Sequence, residues 1–112
     1  MDPSAEDAKL ITLARSSRAR IDAAEGAAVR DQDGRTYAAA SVKLESFSID
    51  ALPLAVAMAV SSGAKGLEAG AIVRAHTDQP IVDLSVIRDL GGEGIPVFVA
   101  DAAGVVRAVQ QS

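Results

Sequence analysis

Asp50-Ala-Leu-Pro-Leu-Ala-Val-Ala-Met-Ala-Val-Ser-Ser-Gly63 is the stretch that decides the fold. It predicts a helix whose apolar residues lie on every side of the helical wheel: Leu52, Leu54, Ala55, Val56, Met58, Ala59 and Val60. Pro53 suits the first turn, Ser48 or Asp50 suits the N-cap, and Gly63 suits the end. Because no side is polar, we expect sheet or helices to cover both flanks, with this helix in the middle of the fold.

The composition limits the number of domains and the classes of partner. The chain has 112 residues, of which 49% are hydrophobic, so we expect one domain over residues 1–112 with a modest core. Its aromatic residues are Tyr37, Phe47 and Phe98, and its net charge is −4. The chain has few aromatic side chains on which bases could stack, and its electrostatic potential is negative overall. Both features argue against nucleic acid and anionic membranes as partners.

Cysteine is absent, and the first residues are acidic and polar. A chain without Cys has no disulfide, no thiol nucleophile and no zinc site built from thiolates. The N-terminus is unlike a secretion signal, which is basic and then apolar, and no apolar run reaches the length of about 18 residues that spans a bilayer. We therefore expect a cytoplasmic protein.

Residues 4–20 are predicted to form an amphipathic outer helix with Ser4 as its N-cap. Three arginines lie near its end: Arg15, Arg18 and Arg20. Cations in the last turn complement the helix dipole, and we prefer this interpretation to a phosphate-binding patch.

Residues 26–42 predict two strands that flank Asp33-Gly34, since Asp-Gly between strand-like runs is a strong hairpin signal. Residues 43–49, which include Phe47, are predicted to be a connecting loop. After the central helix we expect a glycine-rich turn, a short buried strand, a helix and two strands, at residues 63–70, 71–75, 80–90, 95–100 and 105–109.

The glycines of 63–70 and 91–94 do not predict phosphate loops, because such loops run from strand to helix and these run from helix to strand. The predicted order is helix, hairpin, helix, strand, helix, strand, strand. This order indicates an α/β sandwich of three layers, with a mixed sheet of about five strands and helices on both faces.

Five fragments of the chain resemble bacterial cytidine deaminases in order and near-correct spacing: Asp33-Gly34-Arg35, Asp50-Ala51-Leu52, Val60-Ser61-Ser62-Gly63, Pro80-Ile81-Val82-Asp83-Leu84 and Ile95-Pro96-Val97-Phe98. In that order they are similar to the family's Asp-Gly-Arg hairpin, the Cys-Ala-Glu start and the Val-Ser-x-Gly end of its zinc-binding helix, its Pro-Cys-x-x-Cys helix and its Val-Pro-Val-Tyr strand. The resemblance covers about residues 24–109 and implies the cytidine deaminase fold.

The chain departs from the family at the positions of the chemistry. In the family, zinc held by one Cys or His and two Cys activates a water, and a Glu two residues after the first ligand transfers protons. The first ligand position is Asp50 here, the proton-transfer position is Leu52, and the paired cysteine positions are Ile81 and Leu84. Aliphatic side chains neither ligate zinc nor move protons. The resemblance therefore implies a degenerate member with no catalytic residue, no metal ligand set and no bound zinc.

These replacements suggest a common structural role. If the fold is kept, we expect Leu52, Ile81 and Leu84 to converge where the metal would lie and to form an aliphatic plug. Full burial of each side chain contributes about 1.5–3 kcal/mol to the stability of the fold, which would partly substitute for a structural metal. Asp50 is then expected to cap the helix rather than to bind metal.

A nucleoside site is the next question that the resemblance raises. The family's Asn-x-Glu, which holds the ribose, corresponds to Ser41-Val42-Lys43 if the following loop is about two residues shorter, and Lys43 reverses the charge at the key position. Phe47 and Tyr37 could still stack a base. The candidate nucleoside-binding residues are therefore Ser41, Lys43 and Phe47.

His76, Asp78 and Asp83 are close enough in sequence to suggest a hard-metal or acid–base site. A lone His beside a turn is usually solvated, and acidic loop residues usually cap the next helix, so we favour structural roles. Ser61 and Ser62 are interpreted as helix-end residues.

Three hypotheses follow. The favoured one is a catalytically inactive relative of cytidine deaminase that acts as an interaction or regulatory subunit, and the family implies that it forms a homodimer or homotetramer. The alternative is a nucleoside- or nucleotide-binding module without catalysis. The third is an active zinc-dependent cytidine deaminase with unrecognised ligands.

Overall fold

The structure, a computed structural model, describes residues 2–76 and 81–112. Its elements are α1 (Ala5–Ile21), β1 (Glu25–Asp31), β2 (Thr36–Ala40), β3 (Val42–Lys43), β4 (Ser48–Ile49), α2 (Ala51–Ser61), β5 (Leu67–Arg74), α3 (Ser85–Gly91), β6 (Pro96–Ala100) and β7 (Val106–Gln111). Five strands form one sheet in the order β2-β1-β5-β6-β7, in which β5 and β6 pair in parallel and the other neighbours antiparallel. The predicted α/β class with a mixed five-stranded sheet is confirmed.

Two hydrophobic cores lie on opposite faces of this sheet. On one face, residues of α2 and α3 such as Leu52 and Ile87 pack with Ile72 of β5. On the other face, Leu10 of α1 packs with Val73, the next residue of β5. Because successive strand residues point to opposite faces, the central strand β5 contributes to both cores. The sheet is thus the middle of three layers. No helix in the described part of the chain is long and apolar enough to cross a membrane.

The first helix and the first hairpin form as predicted. Ser4 is the N-cap of α1, and its Oγ accepts the backbone N–H of Asp7 at 3.1 Å. The β1–β2 turn is organised by Asp31, which is fully buried and accepts hydrogen bonds from the Tyr37 hydroxyl and from the backbone N–H groups of Asp33 and Arg35. Burial would raise the pKa of Asp31, but these hydrogen bonds outweigh burial and lower it. The carboxylate stays charged and holds the turn.

Three predicted elements have different bounds in the structure. The loop predicted at 43–49 instead forms a small hairpin of β3 and β4, in which the Leu44 N–H donates to the Phe47 carbonyl oxygen at 2.8 Å. Strand β5 begins at Leu67, inside the predicted glycine-rich turn, because its pairing with β1 extends that far.

The third of these elements is the helix predicted at 80–90, which begins at Ser85. Its N-cap position is Leu84, which makes no capping hydrogen bond through its side chain in the described structure, and the preceding residue Asp83 accepts the backbone N–H of Ser85 in an Asx turn. Pro80, the predicted helix start, lies outside the described residues.

Helix α2 forms as predicted but is not covered on both flanks by its own chain. Its inner face is buried, whereas Met58 and Val60 are 39% and 54% exposed. Asp50 occupies the N-cap position, one of the two predicted for this helix, but its side chain makes no capping hydrogen bond within the described structure. Gly63, with φ of +97°, follows the helix as expected, in a conformation that favours glycine.

Candidate functional site

A small pocket lies at the N-terminal end of α2, bounded by β1, β5 and the segment 81–84. Its volume is about 110 Å³, and it is lined by Glu25, Asp50, Leu52, Pro53, Ile72, Arg74, Val82, Asp83 and Val86. Leu52, Ile72 and Val82 are all buried, so much of the lining is aliphatic. Typical small-molecule sites have volumes of about 300–1,000 Å³, so this pocket is small for a ligand.

The charged part of the lining is largely paired. Glu25 and Arg74 face each other across β1 and β5, and the Arg74 Nε donates to Glu25 Oε2 at 3.0 Å. Asp83 Oδ1 accepts from the Ser85 hydroxyl at 2.5 Å and from the Ser85 backbone N–H at 2.9 Å. These hydrogen bonds lower the pKa of Asp83, the hydroxyl making the larger contribution. Asp83 is therefore ionised at neutral pH and unsuited to donate a proton.

Two of the three residues predicted to form the aliphatic plug are buried together, and the third is not. Leu52 and Leu84 are 1% and 5% exposed and belong to the same core. Ile81 is 79% exposed, so its predicted place in the plug is wrong. Segment 81–84 lies outside helix α3, and its residues are alternately exposed and buried along the chain. Ile81 therefore faces outward and Val82 faces inward. The plug consists of Leu52, Val82 and Leu84, which are again aliphatic.

The donors at these positions do not fit the zinc that the resemblance implies. Asp50 supplies carboxylate oxygens, but Leu52, Val82 and Leu84 supply no lone pair to a metal. Across residues 2–76 and 81–112, no group of three or more His, Asp or Glu side chains is placed to hold a metal ion. We derive no reaction step through zinc.

The candidate nucleoside-binding residues do not converge on the pocket. The Ser41 hydroxyl accepts the backbone N–H of Glu25 at 3.2 Å, which ties it to the end of β1. Lys43 is exposed on β3, opposite Ser48, and Phe47 is 56% exposed. Within the described structure, none of Ser41, Lys43 and Phe47 lines the pocket.

The remaining candidates are also dispersed. Tyr37 lines a separate depression beside the second half of α2, and its hydroxyl donates to Asp31 at 2.8 Å. His76 is exposed, and Asp78 lies outside the described residues. Ser61 is the last residue of α2 and Ser62 is its C-cap, which confirms that they are helix-end residues.

Comparison with known proteins places this arrangement in a family. A family model described as Cytidine deaminase-like matches residues 3–104, which is most of the chain. The chain belongs to the cytidine deaminase-like family. None of the curated protein sequences is significantly similar to this cytidine deaminase-like chain.

Solved structures of cytidine deaminases share the fold of this cytidine deaminase-like chain. The cytidine deaminase from Burkholderia pseudomallei superposes with a TM-score of 0.73 at 24% sequence identity, covering 91% of this chain and 89% of that one. The cytidine deaminase from Mycobacterium leprae gives a TM-score of 0.69 at 18% identity, covering 92% of this chain and 90% of that one. At these identities the likeness concerns the fold.

Sequence reasoning missed three features of the pocket in this cytidine deaminase-like chain. Glu25 and Arg74 become neighbours only through the register of β1 and β5, for which the sequence has no signal. Val82 is the second feature: the helix predicted over residues 80–90 places Ile81, Leu84 and Ile87 on one side, and Val82 lies off that side. Gln110 contacts Val82 from 28 residues away, and a lone Gln near the end of a strand is not a recognisable motif.

Proposed function

We propose that this chain is a catalytically inactive cytidine deaminase-like protein that acts as an interaction or regulatory subunit and associates with itself. The observation that supports the first part is the burial of Leu52, at 1% exposure, in the position where the family has its proton-transferring Glu. Hydrolytic deamination of a base needs an activated water and a group that moves protons. Leu52 can neither activate a water nor move a proton, and the ionised Asp83 is poorly suited to donating one.

A nucleoside-binding module remains the alternative, but the geometry favours it less. The pocket volume of about 110 Å³ is small, and the Ser41 hydroxyl is already engaged with the backbone of β1. A bound nucleoside would have to displace Val82 or to occupy a different surface.

Zinc content, turnover and ligand-induced stabilisation separate the three functions. We expect the purified chain to hold substoichiometric zinc, to form no uridine from cytidine and to keep its Tm in the presence of any nucleoside. A ligand present at 100 times its Kd would stabilise the fold by about 2.7 kcal/mol and raise Tm by roughly 10 °C or more. Such a rise without turnover would support the binding module, and stoichiometric zinc with uridine formation would refute the inactive assignment.

The outer face of α2 supports the proposal of self-association. Helix α2 has no charged residue, and its exposed face includes Ala57, Met58 and Val60. Two shallow depressions of about 260 and 370 Å³ share Ala57; Val86 and Leu90 of α3 line the first, and Tyr37 lines the second. Together they form one largely apolar surface across β2, α2 and α3, with Asp89 of α3 as its charged lining residue, and patches of this kind mark interfaces.

A second copy of the chain is the occupant that this surface suits. The chain carries a net charge of −4, so an interface between two copies is least unfavourable where it brings no like charges into contact, and α2 has no charged residue. The small side chain of Ala57 lets two helices approach closely. A twofold axis through α2 would bury the same patch on both copies.

Ala57→Glu is expected to convert a dimer or tetramer into monomers, because it places a like charge on both copies at the centre of the apolar surface. Ala19→Glu is the matched control, since Ala19 is an exposed helical alanine on α1, on the opposite side of the sheet. Sedimentation equilibrium at about 100 μM protein should show oligomers of the parent and of Ala19→Glu, with Ala57→Glu monomeric. A parent chain that is monomeric under these conditions would contradict self-association.

A further inference from the structure

A side chain of β7 is hydrogen-bonded to the backbone of segment 81–84. The Val82 backbone N–H donates to Gln110 Oε1 at 2.9 Å, and Gln110 Nε2 donates to the Val82 carbonyl oxygen at 3.2 Å. Gln110 lies on β7, at the edge of the five-stranded sheet. The amide thus satisfies both backbone groups of Val82, as a neighbouring strand would.

This contact decides which residues close the pocket. Segment 81–84 belongs to no helix or strand, yet Val82 and Leu84 are buried while Ile81 and Asp83 are exposed. Val82 lines the same pocket as Leu52 and belongs to the same core, so a displacement of the Val82 backbone would change how enclosed that pocket is. A segment that does not pair with a strand through its backbone needs another contact to keep one of its side chains turned inward.

We infer that Gln110 is a latch that holds segment 81–84 against the fold and keeps Val82 over Leu52, so that its release opens the pocket locally. In the family a metal would hold this segment in place, whereas in the present chain the side-chain amide of Gln110 holds it. This part of the inference rests on the proposed function. Opening then requires the two hydrogen bonds to break and Val82 to leave the core, and it leaves the rest of the fold intact.

The absence of cysteine from the chain makes the latch measurable. A single Val82→Cys reporter should react slowly with a thiol reagent when segment 81–84 is latched. Adding Gln110→Ala should speed its labelling by roughly 10-fold or more, because both hydrogen bonds are lost. Gln111→Ala is the matched control, being the exposed next residue of β7, and should leave the rate unchanged. All labelling is done with EDTA present, so that no metal contributes.

A second reporter distinguishes local release from loosening of the whole protein. Val73 is fully buried in the core on the opposite face of the sheet. Gln110→Ala should therefore not change the labelling rate of a Val73→Cys reporter. Equal labelling of Val82→Cys with and without Gln110, or equal acceleration at both reporters, would overturn the latch.

Amide exchange in the chain without reporters separates this inference from the proposed function. Gln110→Ala should increase the hydrogen-exchange rate at Val82, and added zinc should not restore protection. If zinc restored it, the metal-free assignment would be wrong, while the need for the segment to be tied down would be supported.

Discussion

Leu52→Glu is expected to lower the free energy of unfolding by about 3–5 kcal/mol at pH 7 and to confer no deaminase activity. Leu52 is 1% exposed and packs in the core that joins α2 and α3 to the sheet. A carboxylate in its place would lose its hydration, and Arg74, which lines the same pocket, is already paired with Glu25. Although the substitution introduces the residue type that the resemblance assigns to this position, the apolar surroundings would make it a destabilising group and not a proton carrier.

The pH dependence of the Leu52→Glu effect tests the reason behind it. Burial raises the pKa of a carboxyl group, and the neutral form is tolerated better than the charged form. The destabilisation relative to the parent should therefore shrink as the pH falls from 7 towards 5, measured by urea unfolding. Leu52→Met, which nearly keeps the volume, should cost less than about 1.5 kcal/mol. A Leu52→Glu chain as stable as the parent at pH 7 would mean that the site is wet.

Gly26→Ala is expected to destabilise the fold by about 3 kcal/mol or more and to lower Tm by roughly 10 °C or more. A Cβ at Gly26 would lie 2.0 Å from the Ala14 carbonyl oxygen and 2.9 Å from the Arg18 backbone nitrogen. Both atoms belong to the backbone of α1, so the clash cannot be relieved by turning a side chain. The helix would have to move away from β1, and its core contacts would be lost.

Gly70→Ala is the matched control for Gly26→Ala. Gly70 lies on β5, the neighbour of β1, and an added Cβ there would meet Val29, Ala28 and Val97 at 3.5–3.6 Å, which is ordinary contact. Its effect on the free energy of unfolding should stay within about 1 kcal/mol of zero, since Ala also restricts the unfolded chain. Equal effects of the two substitutions, measured by denaturant unfolding and calorimetry, would show that α1 does not pack as closely on β1 as the structure has it.

Much of the fold could be predicted because its signals are local. Asp33-Gly34 marks the first hairpin, Ser4 caps the first helix, and a long apolar run ending at Gly63 forms the central helix. Each of these depends on residues within a few positions of one another. The order of the elements was then sufficient for the layer arrangement, because connection rules leave few ways to build a mixed sheet from it.

The exposure of α2 could not be predicted from the same sequence. A helix that is apolar on every side needs cover, but its sequence does not say whether the cover is another part of the chain or another copy of it. In the structure the chain covers the inner face and leaves Met58 and Val60 exposed. The hydrophobic pattern predicts burial on every side of α2, and the structure shows that the chain itself buries only the inner face.

By itself, the sequence determined which side chains stand at the positions that the resemblance matches to the family's chemistry, such as the aliphatic Leu52. Only the tertiary structure decided that Val82 rather than Ile81 fills the pocket, that Glu25 and Arg74 pair across two strands, and that Gln110 holds Val82 from the far edge of the sheet. The physical reason is one of distance along the chain. Side-chain chemistry is a property of each residue, whereas register and the direction of an extended segment depend on contacts between residues that are dozens of positions apart.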